Sequence, residues 1–117
     1  MTLEREVIAS NPLADAVSLG VRGGDFIFLS GMTAPDAATV AAATRDTLTE
    51  MARLLEAAGS SLAKVVKVNV LIYSMLEYDN MNAVYREFFA VDPPARTVCG
   101  VKLIGGRKVE IDCIALR

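Results

Sequence analysis

The chain has 117 residues, the size of one domain spanning 1–117, and its 53% hydrophobic content is more than so small a core can hide, which points to a subunit interface. Its 12 basic and 14 acidic residues are interspersed, the net charge is −2, aromatics make up 6% and tryptophan is absent, so no track for nucleic acid is expected. The absence of histidine excludes Ser-His-Asp and Cys-His nucleophilic sites and zinc hydrolases of the His-rich type. No run approaches about 20 apolar residues, so no membrane span is expected. The charged start Met1–Glu6 lacks an apolar signal core, which predicts a cytoplasmic protein.

Taken in order, residues 3–7 suggest a short edge strand, broken by Asn11-Pro12. Residues 16–21 and 25–30 flank Gly20-Val21-Arg22-Gly23-Gly24, whose spacing fits neither a dinucleotide loop nor a P-loop and reads as a hairpin turn. The second run ends at Ser30-Gly31, where a backbone can approach a ligand closely, although an ordinary strand end has the same composition. Asp36, after Pro35, is the expected N-cap of a helix running to about Ala58, with Gly59 at C′. Val40, Thr44, Leu48, Met51, Leu55 and Ala58 form its packing stripe, and the charged residues between Arg45 and Glu56 form a solvated face.

Lys64–Tyr73 is the strongest strand: alternation places Val66, Val68, Val70 and Ile72 on one face, and Val65, Lys67, Asn69, Leu71 and Tyr73 on the other. Ser74-Met75-Leu76-Glu77 has the form of a capping box, predicting a second helix to about Phe89 with Met81, Val84, Tyr85 and Phe88 inward and Asn80 and Asn82 on or near that stripe. Pro93-Pro94 then holds the backbone extended ahead of a strand that begins at Arg96. After the Gly105-Gly106 turn, the last strand, Lys108–Ala115, sets Glu110 and Asp112 on one face and Ile111 and Cys113 on the other. The order β-β-β-α-β-α-β-β gives an α+β fold of one sheet and two helices.

Two side chains offer chemistry. Arg96 has the planar fork that grips a carboxylate with two parallel bonds, and Glu110 is a carboxylate able to manage a proton nearby. From residues alone, a surface ion pair for Arg96 and an ordinary solvated position for Glu110 are the preferred reading. Cys99 and Cys113 are expected to be free thiols acting as small buried hydrophobes, and two cysteines without histidine make no metal site.

Pro94-Ala95-Arg96-Thr97, the ending Glu110-Ile111-Asp112-Cys113-Ile114-Ala115, Phe28-Leu29-Ser30-Gly31, Leu54–Gly59 and Asn82–Phe89 together resemble the Rid family, also called YjgF/YER057c/UK114. The resemblance covers nearly the whole chain. It implies a chorismate-mutase-like fold of the bacillus type, with one mixed six-stranded sheet against two helices, assembled as a homotrimer with clefts between subunits. It implies cofactor-free hydrolysis of 2-imino or enamino acids to 2-oxo acids and ammonia, with a small carboxylate-bearing substrate as the partner. By the same resemblance Arg96 holds the carboxylate with help from the Val98 N–H, and Glu110 activates water. Ser30 and Gly31 contact the reacting carbon, and Asn82 sits at the cleft rim. The sequence departs from the family in three places. Val17 stands where the family has a tyrosine, Val98 stands where it has a cysteine, and the segment between Gly31 and Asp36 is short and lacks the usual glutamine. Two other functions fit the same resemblance: a non-catalytic binder of 2-oxo acids, and an RNA-cleaving relative, against which the acidic balance counts.

Overall fold

In the computed structural model, which describes residues 4–117, the strands are β1 (Arg5–Ser10), β2 (Ser18–Gly23), β3 (Phe26–Met32), β4 (Val65–Ile72), β5 (Ala95–Gly100) and β6 (Val109–Leu116), with helices α1 (Val40–Ala57) and α2 (Tyr78–Phe88). They form one mixed sheet in the order β1-β2-β3-β6-β4-β5. All neighbours are antiparallel except β4 and β5, which run parallel because α2 carries the chain back between them. The fold is the expected α+β arrangement of six strands and two helices.

Several boundaries move, each for a local reason. The edge strand runs over Arg5–Ser10 rather than 3–7, of which Leu3 lies outside the described residues; it stops where the Asn11 side chain accepts a 3.0 Å hydrogen bond from the Leu13 N–H. The hairpin turn is narrower than the glycine-rich segment, since β2 continues through Gly23 and only Gly24, at φ 57°, and Asp25 lie outside the paired strands. Helix α1 starts at Val40, not after Asp36: the Thr39 hydroxyl accepts from the Ala42 N–H at 3.0 Å, and Thr39 is the cap. It closes with Gly59 at φ 82°, the Gly59 N–H bonding to Glu56 and the Ser60 N–H to Leu55, as glycine-terminated helices do.

The capping box is half formed. Ser74 accepts from the Leu76 N–H at 3.3 Å, but the Glu77 carboxylate accepts from Asn80 instead of reaching back, and Met75–Glu77 becomes a 3-10 turn ahead of α2. In β4 the register slips between Val65 and Lys67, so Val65 is buried and Val66 is 39% exposed, the reverse of strict alternation.

The core lies between the helices and one sheet face. Leu48, Met51 and Leu55 of α1, Met81 and Tyr85 of α2, Ile27 and Leu29 of β3, Val68, Val70 and Ile72 of β4, and Val109, Ile111 and Cys113 of β6 meet there. Among the described residues, no helix covers the opposite sheet face. Val7, Phe26, Phe28 and Leu116 remain between 41% and 45% exposed on it. Part of the apolar surplus of the composition lies on this face, and more of it is in loops and turns, at Leu13, Leu76, Val91 and Ile104. Among the described residues no helix is long and apolar enough to cross a membrane.

Candidate functional site

Arg96 sits near the start of β5 in register with Val68, so its side chain leaves the sheet on the helix side. There α2 presents Tyr78, Asn82 and Tyr85, spaced four and three residues apart and therefore stacked on one helical stripe. Arg96 Nη1 donates to Asn82 Oδ1 and Nη2 to the Tyr78 hydroxyl, both at 2.7 Å. The guanidinium carbon lies 4.5 Å from the centre of the Tyr85 ring and 5.7 Å from that of Tyr78. Every one of these partners is neutral. The ion pairs among the described residues are Arg22–Glu6, Arg45–Glu87 and Arg53–Glu50, and none involves Arg96.

Arg96 is thus partly buried and oriented, with three of its five N–H groups unused by these two bonds. A cleft of about 600 Å³ opens beside it, lined by Asn82, Ala83, Tyr85, Phe89, Pro93 and Pro94 among others. Burial pushes the Tyr85 phenol up to about 12, so it stays neutral under the cation across the physiological range. Tyr78, which its sequence position does not mark out, and Tyr85, expected only to pack inward, both contact Arg96. The signal that finds them is the spacing 78, 82, 85 around the asparagine.

Glu110 is placed elsewhere. It lies on β6 in register with Leu71 of β4, on the face away from the helices and therefore across the sheet from Arg96. Beneath it β3 is bulged: three steps from Leu29 to Met32 span the two steps from Cys113 to Ile111. The bulge brings Gly31 against Glu110 so closely that a Cβ at position 31 would lie 2.6 Å from Glu110 Oε2. A side chain at position 31 would therefore displace the Glu110 carboxylate from where it now lies. Ser30 Oγ donates to the Ser18 carbonyl at 2.7 Å, which ties Ser30 to β2 just after Val17. Ser30, Gly31, Val17 and Glu110 form one group, while Arg96, Asn82 and Tyr78 form another. Val98 belongs with the second: the Val101 N–H bonds to Ile72 on β4, so alternation turns the Val98 N–H toward the open edge of β5. The proximity of Arg96 and Glu110 expected from sequence is therefore not found within one protomer.

The cysteines divide. Cys113 is buried, and burial pushes its thiol up to about 12. Cys99, expected to be buried, is exposed because it points off the edge strand on the side away from α2. A maleimide should leave Cys113 untouched until the protein unfolds, and should reach Cys99 in any protomer whose helix-free face is uncovered. Equal labelling of both in the native state would contradict this packing. Among the described residues no three His, Cys, Asp or Glu side chains are grouped to hold a metal ion.

Comparison with known proteins shows the family. The family described as Endoribonuclease L-PSP matches residues 7–117. A Schizosaccharomyces pombe protein named mmf2, mitochondrial, is 38% identical over 104 residues, 81% of this chain and 82% of its own; the cytoplasmic location expected here does not extend to that relative. A Dermatophagoides farinae protein named 2-iminobutanoate/2-iminopropanoate deaminase is 34% identical over 121 residues, 93% of this chain and 94% of its own. The crystal structure of a YjgF family member from Neisseria meningitidis superposes with a TM-score of 0.90 at 29% identity, covering 97% of this chain and 95% of its own. With residues 7–117 matched by the family model and the fold shared with a YjgF family member over 97% of its length, the chain belongs to the YjgF/YER057c/UK114 family, the family described as Endoribonuclease L-PSP.

Proposed function

We propose that the protein is a hydrolase that deaminates reactive 2-imino or enamino acids to 2-oxo acids and ammonia, in a cleft shared between subunits of a homotrimer. The observation that carries this reading is Arg96: an oriented guanidinium with only neutral partners, open to a cleft, is a carboxylate receptor awaiting an anion. The acid that would work with it, Glu110, lies on the opposite sheet face, the face that also leaves Val7, Phe26 and Phe28 exposed. A second copy covering that face unites Arg96 of one subunit with Glu110 of the next. The relative named as an iminobutanoate deaminase supports the reaction class.

In this reading Arg96 and the edge N–H of Val98 hold the substrate carboxylate. Glu110 takes a proton from water as its oxygen bonds to C2 of the iminium, then returns the proton to nitrogen. The C–N bond breaks, and the iminium and water become the 2-oxo acid and ammonium. An iminium carbon is already electrophilic, so positioning and one proton acceptor suffice. Val17 supplies a wall rather than a hydroxyl, and the Ser30 hydroxyl, donating to Ser18, can offer only its oxygen.

The direct test generates 2-iminobutanoate with an amino-acid oxidase and follows ammonia release, with light scattering on the same sample. Catalysed release by a particle of three subunits is expected. A monomer, or a trimer that binds 2-oxobutanoate without turnover, would rule the enzyme out.

A further inference from the structure

We propose that the ligand held by Arg96 carries a second anionic group and that Arg86 receives it, so that the site takes a dicarboxylic 2-imino or enamino acid. This rests on the deaminase reading and narrows its substrate. The cleft beside Arg96 is also lined by Arg86 and Glu87. Glu87 is held by Arg45 at 2.7 Å, and that hydrogen bond keeps its carboxyl below the ordinary range, so it does not answer either cation in the cleft. Arg86 takes part in no ion pair among the described residues. One wall therefore offers two unmatched guanidinium groups. A cation in the last turn of α2 also suits the helix dipole, but the dipole does not require it to line this cleft.

Spacing sets the ligand length. Asn82 holds the guanidinium of Arg96, and Arg86 leaves the same helix four residues later, a rise of about 6 Å. A four- or five-carbon dicarboxylate bridges such an interval. Ala83, Phe89, Pro93 and Pro94 supply apolar contact for the methylenes between. The second carboxylate would be bound nearer solvent than the first, so its contribution should be modest and salt-dependent.

The test compares the trimer's affinity for 2-oxoglutarate and 2-oxobutanoate by calorimetry, and its ammonia release from the corresponding 2-imino acids generated in situ. The dianion should be preferred about three- to fivefold, the upper scale of a solvent-exposed ion pair. Arg86→Gln should bring that ratio to about one, and Arg86→Glu should reverse it; Arg86 is exposed, so both variants should fold. Equal handling of both ligands by the native protein, or a ratio unmoved by either variant, would overturn the second anchor while leaving the deaminase reading standing. Failure to bind any 2-oxo acid or to release ammonia from any imine would instead remove that reading, and this inference with it.

Discussion

Subunits carrying Arg96→Gln, co-assembled one-to-one with subunits carrying Glu110→Gln, should recover about a quarter of native ammonia release if the proposed shared site is the catalytic one, although each variant alone should be nearly inactive. Each single variant removes one function: the glutamine at 96 cannot neutralise a carboxylate, and the glutamine at 110 cannot accept a proton. Loss of a general base alone typically lowers turnover about 10²-fold or more. If a site takes Arg96 from one subunit and Glu110 from its neighbour, random mixing leaves about half of each contribution intact, and hence about a quarter of sites whole. The expectation follows from the opposite-face placement of the two side chains, with β4 standing between their strands. Recovery no greater than the mean of the two variants, in confirmed mixed trimers, would show that no site is shared.

The second large effect should come from Asn82→Asp. The amide oxygen of Asn82 already accepts from Arg96 at 2.7 Å, so the substitution changes almost no atoms of the contact. It does place a resident negative charge on the guanidinium. With an effective dielectric of about 20, that charge and a ligand carboxylate about 5 Å away repel by about 3 kcal/mol, roughly two orders of magnitude in affinity. Thermal stability should be unchanged or higher, because a partly buried cation gains a partner. Calorimetry with a 2-oxo acid and a melting curve on one preparation give both readouts. Native-like binding by Asn82→Asp would mean that the ligand carboxylate lies elsewhere.

The contrast between these residues shows which features were legible in the sequence. β6 was readable because each of its residues must choose between a core and an open face, and the alternation Val109, Ile111, Cys113 against Glu110, Asp112 is unbroken. Alternation assigns faces within one strand, however, and says nothing about which face a different strand shares. That depends on the sheet order and on the crossover through α2, so Arg96 and Glu110 could be identified singly yet not placed relative to each other. The slip in β4 was hidden because Val65 and Val66 are chemically identical, and only the partner strand decides which is buried. Thr39 was hidden by Asp36, an equally good capping residue three positions earlier. Tyr78 was hidden because a tyrosine at the first turn of an amphipathic helix has an ordinary packing explanation. Its hydroxyl becomes informative only once Arg96 is known to reach it.

The division of the two groups across the sheet has a consequence for how the protein behaves at different concentrations. Under the proposed deaminase reading, a lone subunit holds a carboxylate receptor on one side and a proton acceptor on the other, with no substrate able to touch both. Under the shared-cleft reading, activity per mole is then a mass-action quantity: it falls on dilution through the assembly constant while folding and the Arg96 clamp persist. A ligand spanning two subunits would push the other way, drawing dilute chains together and switching on its own turnover.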